Sequence, residues 1–205
     1  MSTKEDQSNA NRIEDDEITQ RCGAHHEAGH VVVAGTSGLR LRPEGLMIDR
    51  RGWGLACYFR EPQDSDVARE AVVLASLAGF KAENELRRRS SYGLRDSQEI
   101  IDSCDWREAR TLVAKLSEGY FVSDNVGTLL RKFEDRAERL VVERWRTIEA
   151  VAGALLGNEW EPLKPLKSGG SWRTRTKGPR NIFQVRESSQ YCEDTELWRR
   201  AAEGF

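Results

Sequence analysis

Apolar residues recur at helical spacing along most of this chain, and strand-like runs are confined to one short region. Helical patterns run from about Gln20 to Thr36, Val67 to about Arg88, Asp96 to about Glu118, Asp124 to Glu138, and on to Leu156. The second of these helices is rich in small residues that allow close helix packing, so we expect it to be central. The predicted fold class is mainly α.

The exception to the helical pattern is a pair of short apolar runs. Gly45–Ile48 and Leu55–Phe59 flank the polar, glycine-containing segment Asp49–Gly52, which predicts a small β-hairpin. The hairpin could be purely structural. Its free edge could instead pair with an extended peptide through main-chain hydrogen bonds.

The helix predicted from Asp96 to about Glu118 carries a carboxylate on its apolar face. Asp105 falls on the same stripe as Ile101, Ala109, Leu112 and Leu116. A carboxylate in that position is costly to bury unless a counter-charge lies beside it. That charge could come from a metal ion or from a basic residue such as Arg110. Asp102, one turn earlier, is the nearest rival as a ligand.

The motif HExxH, from His26 to His30, is the clearest candidate for chemistry. Residues four apart on a helix lie about 5–6 Å apart at Cβ, so His26 and His30 can bind one metal ion, for which zinc is well suited. Glu27 would lie beside the metal but outside its ligands, in the position of a general base. No histidine follows His30, so the third ligand must be a carboxylate or a thiolate. His25 points about 100° away, as a surface or ligand-orienting residue.

Composition limits the class of protein more than it identifies it. The chain has 205 residues and a net charge of −2, which does not indicate nucleic acid as a partner. Its four scattered cysteines contain no CxxC pair, as expected for reduced thiols and a cytoplasmic location. The longest apolar stretch, Ala71–Phe80, is too short to span a membrane.

The same composition divides the chain into three parts. Residues 1–20 are polar and acidic, and we expect a disordered tail. Residues 21–163 form the predicted domain. Residues 164–205 are first basic and then of mixed charge, which favours a flexible C-terminal tail over a nucleic-acid-binding or partner-binding arm.

Several of these segments together resemble the peptidase domain of the FtsH family of ATP-dependent zinc metalloproteases. The resemblance runs from about Arg21 to Leu163 and follows the family's order: HHEAGHVVVAG, GLMIDRRGWGLACYF, LASLAGFKAENEL, SCDWREARTLVAKL and IEAVAGALLGNEW. It implies a helical FtsH-type metallopeptidase domain with its hairpin near the active site. It further implies Zn²⁺ bound by His26, His30 and Asp105, with Glu27 as the catalytic base.

The chain also departs from the family pattern. Phe80 and Lys81 stand where the family usually has Arg and Ala, and the sequence contains no GxxxxGK[ST] phosphate loop. We therefore expect a zinc endopeptidase that cleaves unfolded proteins or peptides, independent of ATP by itself, with a separate ATPase as a possible partner. The alternatives are a non-catalytic binding or regulatory module and a narrow-specificity regulatory protease.

Overall fold

A computed structural model describes residues 4–49, 51–58, 65–94, 96–119 and 125–157. These residues form six helices and two strands: α1 (Lys4–Thr36), β1 (Leu41–Ile48), β2 (Gly54–Tyr58), α2 (Asp66–Arg89), α3 (Ser97–Asp102), α4 (Cys104–Gly119), α5 (Val126–Glu143) and α6 (Trp145–Leu156). The predicted fold class, mainly α with a small β-hairpin, is confirmed. Within the described ranges, no helix is long and apolar enough to cross a membrane.

Helix α1 is buried over the part that contains the histidines. Every residue from Glu27 to Ala34 is buried, because α2, α6 and both strands pack around this part of the helix. The helix begins at Lys4, so its predicted start near Gln20 was wrong, whereas the predicted division into a tail over residues 1–20 stays a prediction. Extending an existing helix costs far less than nucleating one, and the buried half of α1 supplies the nucleus. The predicted domain boundary near Arg21 stays a prediction.

Helix α2 is central, as predicted. Its N-cap is Ser65, whose hydroxyl accepts a hydrogen bond from the Ala68 amide at 3.2 Å. The run Ala71–Phe80 is buried throughout, and the helix packs against α1, α4 and α5. Small side chains line this packing, so the backbones of α1 and α2 approach closely.

The third predicted helix is interrupted at Ser103. Asp96 caps its start, but Ser103 adopts an extended conformation and its hydroxyl accepts from the Trp106 amide at 3.2 Å. A serine in this role ends one helix and begins the next. The break turns Ile101 to solvent, at 40% exposure. The predicted stripe continues only on α4, where its apolar members Ala109, Leu112 and Leu116 are buried.

The C-terminal helices pack against the two central helices: α6 lies mainly against α1, and α5 lies mainly against α2. α5 begins after the cap Asn125 and ends at Glu143, and α6 follows directly after Arg144 and ends at Leu156 as predicted. Their apolar stripes join the core through Leu130, Phe133, Ala137, Val141, Trp145, Ile148, Ala152 and Leu155. The predicted domain end at Leu163 and the C-terminal tail lie outside the described residues.

The hairpin forms as predicted. β1 and β2 are antiparallel, with Met47 opposite Leu55, and the Asp49 carboxylate accepts hydrogen bonds from the amides of Arg51 and Trp53 at 2.8 and 2.9 Å. Gly52 has a φ of 80°, and a side chain there would meet the Thr19 carbonyl of α1 at 2.6 Å. The turn is therefore held against α1.

We predict that Gly29→Ala destabilises the fold where α1 and α2 cross. A Cβ at Gly29 would lie 2.7 Å from both the Ala78 carbonyl oxygen and the Ala82 Cβ, and such overpacking typically costs about 1–3 kcal/mol. Gly153→Ala is the matched control, because nothing lies within 4 Å of its added Cβ and helix propensity should stabilise it by about 0.5–1 kcal/mol. Urea unfolding followed by circular dichroism would measure both, and equal midpoints for the two variants would contradict this packing.

Candidate metal centre

Two helices far apart in sequence bring three candidate ligands together. His26 and His30 extend from one face of α1, and Asp105 extends from the first turn of α4. The Nε2 atoms of His26 and His30 are 3.0 Å apart, and each lies near the Asp105 Oδ2, at 3.3 and 3.4 Å. In the part of the chain that the structure describes, this is the single group of three or more such side chains that could hold a metal ion.

Each histidine has a partner on its other ring nitrogen. The Nδ1 of His30 lies 2.7 Å from the Ala75 carbonyl oxygen, which can only accept, so this nitrogen carries the proton. The Nδ1 of His26 lies 3.5 Å from the Glu83 Oε2. A proton held on Nδ1 leaves the Nε2 lone pair free, and both lone pairs are then available at the common point beside Asp105.

Helix α2 forms the floor of this group. A Cβ at Gly79 would lie 2.7 Å from the His26 Nε2 and 2.5 Å from the His30 Nε2, so only glycine lets the two imidazoles lie where they do. The Phe80 ring meets the His26 ring edge to face, with centroids 4.7 Å apart. Phe80 is one of the two positions that differ from the FtsH pattern, and its ring therefore packs against a candidate ligand.

Glu27 is held between α1 and the hairpin. Its side chain is buried, it accepts a hydrogen bond from the Ala56 amide, and it packs directly against Gly54 of β2. Burial raises the pKa of Glu27, and the nearby histidines oppose that rise only in part. The Glu27 carboxylate is therefore a stronger base than that of an exposed glutamate. Its contacts with β2 also show that the hairpin lies beside the site, as predicted.

The charges at the group favour an ionised Asp105. Burial pushes the pKa of Asp105 upward, but the adjacent His26 and His30 side chains outweigh it and hold the pKa well below its usual range. Burial likewise disfavours the His26 imidazolium, yet Asp105 and Glu83 together raise the pKa of His26 to about 9. Without a metal, a proton on His26 supplies the positive charge that the carboxylates require.

The structure separates Asp105 from its alternatives. Asp102 ends α3, where the Gln98 amide group donates to both of its carboxylate oxygens at 3.1 Å. The Arg110 guanidinium lies over the Trp106 ring, and Asp105 pairs instead with the histidines. Cys22, Cys57 and Cys104 lie outside the metal-ligand group.

His25 is buried and does not lie on the surface, which was one of the two positions expected for it. It is 7% exposed, its ring stacks on Trp145 with centroids 5.5 Å apart, and its Nδ1 donates to the Arg21 carbonyl at 2.8 Å. Burial lowers its pKa, although the bond to Arg21 opposes this. His25 thus packs α1 against α6 and does not join the metal-ligand group.

The sequence interpretation missed Glu83, the Ala75 carbonyl and the glycines at positions 54 and 79. A sequence signal for Glu83 exists: like Asp105, it shares a helix face with apolar residues, here Phe80 and Leu86, and a carboxylate buried there would need a partner. The other contributions depend on which backbone approaches the imidazoles and the carboxylate. The spacing of residues within one segment does not indicate which other segment will lie beside it.

No family model and no curated protein sequence matches this chain. The resemblance to the FtsH peptidases therefore stays a prediction based on the sequence motifs. The structure defines a coarser class: a helical domain with a potential metal-binding triad of two histidines and one aspartate.

We predict opposite pH trends for the metal-free fold and for metal binding. The folded pKa of His26, about 9, is above its ordinary value of 6.5, so its contribution to stability is fully present below pH 6.5 and is lost as the pH rises through 9. Asp105 has a lowered pKa, so its contribution is present above its ordinary value of 3.8 and is lost at lower pH.

A divalent metal must displace the proton from His26. Its affinity should therefore rise about tenfold per pH unit between pH 6.5 and 8, while the metal-free free energy of unfolding falls over the same interval. Urea unfolding without metal and calorimetric titration with metal would measure the two trends. Metal affinity that stayed constant across this interval would contradict the proposed protonation of His26.

Proposed function

We propose that this chain is a zinc-dependent endopeptidase of the FtsH peptidase type, with His26, His30 and Asp105 as ligands and Glu27 as general base. The observation that carries the proposal is the triangle of ligand atoms, with sides of 3.0, 3.3 and 3.4 Å. Ligands about 2.0–2.1 Å from a tetrahedral zinc ion lie roughly 3.3–3.4 Å from one another. The three atoms thus fit around one zinc ion with little rearrangement.

The donor set favours a catalytic site over a structural one. Three protein ligands leave the fourth position open, which is typical of catalytic zinc. The Asp105 side chain is 29% exposed, whereas the side chain of His30 is 7% exposed, so the group opens to solvent on the side of α4. When bound, zinc supplies a Lewis acid that polarises a scissile carbonyl and lowers the pKa of water at the site to about 7.

The position of Glu27 suits proton transfer. It follows His26 directly and precedes His30 by three residues, so it lies next to the ligands without being one of them. Its raised pKa suits a base working near neutral pH. In the proposed reaction, Glu27 takes a proton from the attacking water and gives it to the leaving amine nitrogen, while the Ala56 amide holds the carboxylate in place.

The proposed substrates are unfolded proteins or peptides in extended conformation. A peptide that paired with β2 would run beside Glu27, because both Gly54 and Ala56 contact that side chain. The proposal includes ATP-independent cleavage by this chain alone, in a cytoplasmic location, and a separate ATPase partner for folded substrates.

We predict that Glu27→Gln keeps the zinc and the fold but loses cleavage of casein. The amide is nearly isosteric but cannot accept the proton, and general-base catalysis typically contributes about 10²–10⁴-fold. Cleavage by the wild type should be the same with and without ATP, and a chelator should abolish it. The control is Glu118→Gln on the exposed face of α4, which should cleave like the wild type.

Unreduced cleavage by Glu27→Gln would remove this residue as the base. A wild type that binds zinc but leaves casein intact would contradict the general endopeptidase. It would favour either the non-catalytic module or a narrow-specificity protease, and a library of short peptides would separate these two.

A further inference from the structure

The guanidinium of Arg87, in the last turn of α2, joins two parts of the molecule. Its Nε and Nη2 donate to the Glu83 Oε1 at 3.0 and 2.9 Å. Its Nη1 donates to the Gly93 carbonyl at 3.0 Å. One planar side chain thus connects a buried carboxylate with the turn that follows α2.

The Glu83 carboxylate also contacts a candidate metal ligand, His26. Both bonds from Arg87 end on the Oε1 of Glu83, while the Oε2 faces the His26 Nδ1 at 3.5 Å. Glu83 is 5% exposed, and a buried carboxylate keeps one orientation only where its hydrogen bonds fix it. Arg87 fixes one oxygen and thereby directs the other at His26.

We propose that Arg87 is a positioning residue for the metal centre, acting on His26 through Glu83. The same guanidinium also holds the turn Ser91–Gly93 through its bond to the Gly93 carbonyl. The inference rests on the metal site of the proposed function and does not depend on peptidase activity. Residues that orient a ligand histidine typically change metal affinity about 10–100-fold when they are removed. Arg87 lies one contact further out, so its effect should fall at the lower end of that range.

The turn is well placed to transmit a displacement to Arg87. Ser91 has a φ of 58°, a left-handed conformation that reverses the chain. The Tyr92 amide donates to the Arg87 carbonyl at 2.9 Å, and the Tyr92 hydroxyl accepts from Arg21 of α1 at 3.3 Å. Movement of this turn would therefore act on Arg87 and, through Glu83, on His26.

A second glutamate–arginine pair on the same helix provides a matched control. Glu85 and Arg89 are also four residues apart, their closest atoms are 2.6 Å apart, and Glu85 is 7% exposed. Arg89 lies over the Trp145 ring and, among the residues that the structure describes, makes no bond that leads to a candidate ligand. An effect common to both arginines would reflect helix stability alone.

The experiment compares zinc affinity in the purified full chain, measured by competition with a chromogenic chelator. Arg87→Gln should bind zinc about tenfold more weakly than the wild type, and Arg89→Gln should stay within about twofold of it. Arg87→Lys keeps the positive charge but loses the planar fork, so its loss should be intermediate. The visible spectrum of the cobalt-substituted protein should change for Arg87→Gln but not for Arg89→Gln.

A double variant tests the route of the effect. Because Arg87 acts through Glu83, the variant Glu83→Gln/Arg87→Gln should bind zinc no more weakly than Glu83→Gln alone. Equal zinc affinities for Arg87→Gln and Arg89→Gln would overturn the inference. If Arg87→Gln does not fold, equal zinc affinities for Arg87→Lys and Arg89→Lys would overturn the inference.

The outcomes for the inference and for the proposed function are distinguishable. A wild type that binds no metal would overturn both. A wild type that binds zinc, with the expected loss in Arg87→Gln but no cleavage of any peptide, would overturn only the proposed peptidase activity.

Discussion

The structure depends on holding two imidazoles and one carboxylate within 3.4 Å of one another, although His30 and Asp105 come from helices far apart in the chain. Neither α1 nor α4 can meet this constraint alone. α2 lies against both helices, its Gly79 admits the imidazoles, and its Ser76 hydroxyl donates to Glu108 of α4 at 3.1 Å. The site is therefore a product of helix packing around α2.

The same packing determines the electrostatics. Burial around α1 makes each charge costly, so the ionisable groups occur as partners: Asp105 with the histidines, Glu83 with Arg87, and Glu27 with the Ala56 amide. The carboxylates of Asp105, Glu83 and Glu27 around the two histidines require positive charge, which a proton or a divalent metal can supply. A metal would satisfy the whole group, whereas a proton on His26 satisfies it only at lower pH.

Local features of the sequence were sufficient to predict most of the elements. The histidines share a face because they are four residues apart, apolar residues recur at helical spacing along α2, and the glycine-containing turn at Asp49 pairs two strands. Each of these depends on neighbours within a few residues. Asp105 could also be singled out, because a carboxylate on an apolar stripe requires a partner wherever the chain folds.

What the sequence did not predict depends on tertiary contacts or on competition between local signals. The helix through the histidines starts at Lys4, well before its predicted start near Gln20. Ser103 breaks a continuous helical pattern because its hydroxyl caps the following helix. The contributions of Gly54 and Gly79 depend on distances between elements, for which no periodicity gives a signal.

X-ray absorption at the zinc edge would test directly whether two imidazoles and the Asp105 carboxylate hold one zinc ion, as proposed. We expect only nitrogen and oxygen ligands, at about 2.0–2.2 Å, with outer scattering from two imidazole rings. Asp105→Ala should lower zinc affinity or replace one ligand, and Asp102→Ala should leave the spectrum unchanged. A sulfur ligand at about 2.3 Å, or scattering from three imidazoles, would contradict this ligand set.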